Sequence, residues 1–68
     1  MIEAQRIREL VEEISDLTGY TVRMTDDRGI KFAWVDWKGR FIVGHGRTRL
    51  ESLKSLREQV LRRINATH

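Results

Sequence analysis

The segment GHGRTRLESLKSLREQVLRRI, residues 44–64, decides the fold of this chain. It predicts the end of a β-strand, a turn through two glycines and then a helix. Thr48 is suited to the N-cap, because its hydroxyl can accept the amide hydrogen of Glu51 while the Glu51 carboxylate reaches back to the amide of Thr48. Beyond this cap, apolar residues recur on one helical face: Leu50, Leu53, Leu56, Val60, Leu61 and Ile64. The segment therefore predicts an amphipathic helix with a defined start.

The start of this helix is basic. Arg47 and Arg49 flank the cap, and the positive end of the helix dipole lies at the same place. Free backbone amides, arginines and the dipole together favour an anion such as phosphate. Arg57 falls within the leucine face, so we expect it to pair with an acidic residue or to extend its charged end to solvent.

Four further elements precede this helix. Apolar residues at helical spacing predict a first helix over residues 2–18 with an acidic outer face, and Gly19 suits the position just past its end. Strands are predicted over residues 20–25, 30–37 and 40–45, separated by turns at 26–29 and 38–39. The prediction is one α+β domain over residues 1–68, of order α-β-β-β-α, in which both helices pack on one face of a three-stranded antiparallel sheet.

Each face of the predicted sheet carries apolar side chains. The Lys38-Gly39 turn sets the register of the last two strands, so that one face collects Ala33, Val35, Trp37 and Ile42 and the other collects Phe32, Trp34, Phe41 and Val43. Which face is buried stays open, because a one-residue change in the first hairpin reverses the answer. Either way, an apolar face remains uncovered and is expected to bind a partner. The residues proposed for this protein interface are Trp37, Val35, Ile42 and Trp34.

Composition limits the functional classes. The chain has no cysteine and no proline, and its net charge of +3 divides into −3 for residues 1–18 and +6 for residues 19–68. The absence of cysteine, of a long apolar run and of a signal-like N-terminus favours a cytoplasmic protein without membrane contact. His45 is the one candidate for a catalytic base, and no second base, cysteine nucleophile or metal-ligating cluster accompanies it. We therefore expect no catalytic residues, metal or cofactor.

The predicted order of elements resembles the double-stranded RNA-binding domain. That family begins its second helix with Gly-x-Gly-x-Ser and basic residues, a pattern matched here by Gly44, Gly46, Thr48 and Arg49. The resemblance covers nearly the whole chain in topology and about twenty residues in motif. The family's next two basic positions are leucines here. The resemblance implies binding to duplex RNA through the start of the second helix.

Weaker resemblances point to other partners. The last three strands and the helix are similar to the arm-type DNA-binding domain of phage integrases and to the plant ethylene-response DNA-binding domain, which place a three-stranded sheet in the major groove. On that model Arg23, Lys31, Trp37 and Arg40 contact the groove if they share the outward face. The helix start is also similar to that of HicB antitoxins, which neutralise a partner protein. The HicA toxins share the α-β-β-β-α plan.

Two functions therefore stay open. The first is non-enzymatic binding of nucleic acid, duplex RNA or DNA, through residues Arg47, Thr48, Arg49 and Lys54, with Arg23, Lys31 and Arg40 as further contacts. The second is a protein-binding regulator, of the antitoxin or phage-inhibitor kind, or a homodimer formed through the apolar outer face of the sheet.

Overall fold

A computed structural model describes residues 2–66 of the chain. The elements follow the predicted order: α1 (Ile2–Thr18), β1 (Arg23–Asp27), β2 (Ile30–Trp37), β3 (Arg40–Gly46) and α2 (Arg49–Ala66). The strands form one antiparallel sheet in the order β1-β2-β3. The predicted α+β architecture is confirmed.

Two tight hairpins join the strands. Arg28 and Gly29 have φ values of 54° and 83°, and Lys38 and Gly39 have φ values of 55° and 78°. Positive φ at both central residues is the geometry whose twist matches that of the paired strands. The second hairpin is as predicted. The first has a shorter turn than predicted, because residues 26 and 27 still pair with residues 31 and 30; β1 therefore covers 23–27 rather than 20–25.

The strand pairing, together with the burial of individual residues, shows which face of the sheet is buried. Met24 pairs with Ala33, which in turn pairs with Gly44 across β3, and Val35 pairs with Ile42. Directly paired residues point to the same side of a sheet, so these residues share a face, which we call the covered face. Ala33 and Val35 are fully buried and Ile42 is 2% exposed. The core joins the covered face to both helices through Leu10, Ile14, Val22, Ala33, Val35, Ile42, Leu53, Leu56 and Val60.

Helix α2 lies against β3 at very short range because two glycines of that strand point toward it. A β-carbon built on Gly44 would lie 2.3 Å from the backbone nitrogen of Leu56 and 2.4 Å from the carbonyl oxygen of Ser52. One built on Gly46 would lie 2.4 Å from the Glu51 β-carbon. Neither glycine forms the turn that the sequence predicted: both belong to β3. Their role is to let the backbone of α2 approach the strand.

Helix α1 packs beside α2, and a salt bridge joins them. The Arg57 Nε lies 2.6 Å from the Glu13 Oε2, with both side chains about two-fifths exposed. This is the acidic partner expected for an arginine within the leucine face. At the end of α1, Gly19 has a φ of 78° and donates its amide hydrogen to the Ser15 carbonyl, as predicted for a residue just past a helix end.

Candidate nucleic-acid interface

The first turn of α2 is capped as the sequence predicts, with one change of partner. The Glu51 amide donates to the Thr48 hydroxyl at 3.1 Å, and the Ser52 amide donates to the Thr48 carbonyl at 3.0 Å. The Glu51 carboxylate accepts the amide hydrogen of Arg47 at 3.0 Å, rather than that of Thr48. The cap therefore fixes both the helix start and the backbone of the residue before it.

Three basic side chains from different elements converge beside this cap. Lys31 of β2, Arg47 of the β3–α2 connection and Arg49 of α2 line one shallow concavity with Thr48. We call these four residues the basic corner. Both arginines are exposed, and within residues 2–66 neither guanidinium forms a hydrogen bond or salt bridge. The corner therefore presents two free guanidinium groups to solvent.

Three carboxylates, those of Asp26, Glu3 and Glu51, lie beside the three basic side chains of this corner and offset their formal charge. The Lys31 ammonium is paired with the Asp26 carboxylate. The hydrogen bond from Lys31 is the main cause of a lowered pKa at Asp26, and the charges of Lys31 and Arg49 lower this pKa further. Glu3 of α1 also lines the concavity. The lowered pKa of Asp26 indicates that the local environment favours a negative charge.

The remaining basic residues of the predicted site lie elsewhere. Lys54 is farther along α2, in a groove shared with Arg6 of α1. Arg23 is exposed at the start of β1, opposite Trp34. Arg40 is at the far end of the sheet, where it lines a groove with Trp37. The structure therefore brings together Arg47, Thr48, Arg49 and Lys31, and it separates Lys54, Arg23 and Arg40 from them.

The condition for groove binding through the sheet is not met. Trp37 pairs with Arg40, and both belong to the same side as Val35 and Ile42. Lys31 stands two residues before Ala33 on β2, so its side chain points to the same, covered side of the sheet. Of the four residues proposed for a major-groove contact, Arg23 alone points outward. An integrase-like binding mode would need all four residues on the side of the sheet that faces away from the helices.

Three of the four proposed interface residues are on the wrong face. Val35 and Ile42 belong to the buried core, and Trp37 packs against it. The expectation of an exposed interface is wrong for Val35 and Ile42, because both helices pack on the side of the sheet to which these residues point. Trp37 lies on the same side and is partly buried. Trp34, the fourth, lies on the opposite side of β2 and is partly exposed. Sequence reasoning could not choose between the two faces from the β2–β3 register alone.

The open side of the sheet, which we call the outer face, carries residues that the proposed interface missed. Phe41 is 68% exposed, Ile30 is 44% exposed and Val43 is 42% exposed. The neglected signal was residue size. Ala33, Gly44 and Gly46 all point to one side, and a face of small residues is the face that a helix backbone can approach. That observation assigns Phe32, Trp34, Phe41 and Val43 to the outer face.

His45 also lies on the outer face. It is exposed, and its ring centroid is 6.4 Å from that of Phe32. Its two neighbours in the chain are the glycines that contact α2. Asp36 is also exposed on the outer face, and no salt bridge of Asp36 is found in the described range 2–66.

The fold and the corner define the chain as an α-β-β-β-α domain with two exposed arginines, Arg47 and Arg49, at the start of its second helix. Comparison of the chain with protein-family models, curated proteins and solved structures found no match. Neither α1 nor α2, as described over residues 2–66, combines the length and apolarity that a membrane-crossing helix requires.

Proposed function

We propose that this chain is a non-enzymatic nucleic-acid-binding domain that contacts the phosphate backbone of a duplex through the basic corner. One observation carries the proposal: Lys31, Arg47 and Arg49 come from three separate elements and converge on one concavity at the amino end of α2. Phosphate oxygens accept hydrogen bonds from guanidinium groups and from helix amino ends. Such contacts hold a protein on a duplex without reading its sequence.

Duplex RNA is the first ligand to test. The order of elements and the Gly-x-Gly-x-Thr sequence that precedes α2 resemble the double-stranded RNA-binding domain, whose ligand is recognised mainly by its shape and backbone. Few phosphates are engaged by so small a corner, so we expect weak binding. Neutralising about three phosphates predicts a slope of log affinity against log salt of about −3.

Fluorescence anisotropy with a labelled RNA duplex of about 16 base pairs tests the proposal, since this is the length that such a domain spans. The Arg47→Gln/Arg49→Gln variant should lose affinity about tenfold or more, and its salt slope should become shallower by about 2. A DNA duplex of the same sequence shows whether the helix form matters.

A matched control comes from the other end of the same helix. The Arg62→Gln/Arg63→Gln variant removes the same charge, and both residues are exposed. Its affinity for the RNA duplex should be within about twofold of the wild-type value at moderate salt, because salt screens the interaction between charges more than about 10 Å apart. Equal losses in the two variants would show that net charge, and not the corner, drives binding. Absence of any RNA or DNA binding at about 50 mM salt would refute the proposal.

A further inference from the structure

We propose that two copies of this chain associate face to face through the outer face of the sheet. The outer face comprises the outward residues of three strands: Arg23, Thr25, Asp27, Ile30, Phe32, Trp34, Asp36, Phe41, Val43 and His45. The proposal is independent of nucleic-acid binding, because the basic corner lies beside the helices.

The centre of the outer face is apolar. Trp34 pairs with Val43 across the strands, and Phe32 lies two residues before Trp34 on the central strand. Phe41 extends the apolar surface along β3 and is 68% exposed. Both helices contribute to the core on the other side of the sheet. Within residues 2–66, no helix or strand covers the outer face, although Tyr20 and Thr21 of the α1–β1 connection border it beside Trp34. Much of this apolar surface therefore remains in contact with water.

The charges of the outer face favour a second copy over a nucleic acid. Arg23 lies at one edge, whereas Asp27 and Asp36 carry the opposite charge, and all three are exposed. A phosphate backbone would meet two carboxylates and one guanidinium, which is unfavourable. A second copy presents both signs of charge, so each arginine can pair with an aspartate of the other copy. A two-fold interface requires this kind of self-complementarity.

The geometry also suits a symmetric pair of sheets. Stacked sheets pack about 10 Å apart with their strands nearly aligned. If the central strands of the two copies lie over each other, Phe32 and Trp34 of both copies meet near the two-fold axis. Central, well-packed aromatic residues are those that contribute most to binding at protein interfaces.

The area that the outer face can bury limits the affinity of the proposed dimer. Three strands spaced about 4.8 Å apart and up to eight residues long give each copy a flat area of roughly 14 by 26 Å, and projecting side chains enlarge it. The two copies together would bury on the order of 1,000 Å², at the lower end for a specific interface. We therefore expect a dimer that dissociates in the micromolar range rather than an obligate one.

Sedimentation equilibrium over a range of concentrations tests this proposal. The apparent mass should rise from 8.1 kDa toward twice that value as the protein concentration passes from about 1 µM to about 1 mM. Phe41→Ser should weaken association by tenfold or more. Ile2→Ser is the matched control, because Ile2 is 86% exposed on α1 and should leave association unchanged. Circular dichroism would verify that both variants remain folded.

Fluorescence gives a second readout at the centre of the interface. In Trp37→Phe the remaining tryptophan is Trp34, whose emission should shift to the blue and become protected from iodide as concentration rises. In Trp34→Phe the remaining Trp37 lies on the covered side, and its quenching should not depend on concentration. A strict monomer at about 1 mM, or equal association of wild type and Phe41→Ser, would overturn the proposal and leave the outer face to a different protein.

Discussion

The two faces of the sheet are both apolar, yet they have different structural roles. On the covered face, Val35 is fully buried and the glycines of β3 let the α2 backbone approach closely. On the outer face, the same strands present Phe41 and Val43, which are 68% and 42% exposed. The difference follows from the positions of the glycines. Gly44 and Gly46 on the covered side let the α2 backbone approach β3, whereas a β-carbon at either position would collide with that helix.

Gly44→Ala is the strongest test of this comparison. The added β-carbon would lie 2.3 Å from a backbone atom of α2, so the whole helix has to move. We expect a loss of about 3 kcal/mol or more in the free energy of unfolding, measured by urea denaturation. His45→Ala, at the next position of β3 but on the outer face, should change it by about 0.5 kcal/mol or less. Equal effects of the two changes would contradict the role given to Gly44.

A pair of valine truncations sharpens the comparison with chemically identical changes. Val35→Ala leaves a cavity in the core and should cost about 2 kcal/mol. Val43→Ala removes the same atoms from the outer face and should cost about 0.5 kcal/mol or less when the protein is dilute. If the outer face forms a dimer interface, the cost of Val43→Ala should increase with protein concentration. Similar costs in dilute solution would show that a second element covers the outer face.

The third prediction concerns the contribution of the Thr48 cap to the stability of α2, the helix that packs on the covered face. Thr48→Ala removes the acceptor of the Glu51 amide and should lower the free energy of unfolding by about 1 kcal/mol. Thr48→Ser keeps the hydroxyl and should retain most of this stability. Thr25→Ala, an exposed change on the outer face, serves as the control for loss of a threonine. An effect of Thr48→Ala no larger than that of Thr25→Ala would show that the cap is dispensable.

The smallest expected effect concerns the ion pair between Asp26 and Lys31, at one end of the covered face. The folded-state pKa of Asp26 is lowered, mainly by the hydrogen bond from Lys31, so its carboxylate binds a proton less readily than in the unfolded chain. Its contribution to stability is therefore present above the ordinary pKa of 3.8 and is lost as the pH falls through the lower folded value. Asp26→Asn should make the free energy of unfolding slightly less dependent on pH below about pH 4. Urea titrations of the variant and of the wild type at each pH measure this difference, and identical profiles would contradict a stabilising Asp26–Lys31 pair.

Much of the fold could be predicted from local patterns. Period-3.6 stripes define α1 and α2, and the Lys38-Gly39 turn sets the β2–β3 register. Thr48 and Glu51 mark the start of α2. These features depend on residues close together in the chain, where propensity and hydrogen bonding act directly. The basic character of the corner was also predictable, because Arg47 and Arg49 flank the cap in sequence. Lys31 joins them through strand pairing alone.

The face of the sheet that became the core was not determined by those local patterns. Apolar side chains alternate to both sides of β2 and β3, and a strand has a period of two, so a shift of one residue exchanges inside and outside. The short Arg28-Gly29 turn fixed the β1 register, and the contact between α2 and Gly44 fixed the side on which the helices lie. The sequence by itself determined the elements, their order and the cap. Only tertiary packing decided that Val35 and Ile42 are buried while Phe41 and Val43 meet solvent, because that choice depends on how closely two backbones can approach.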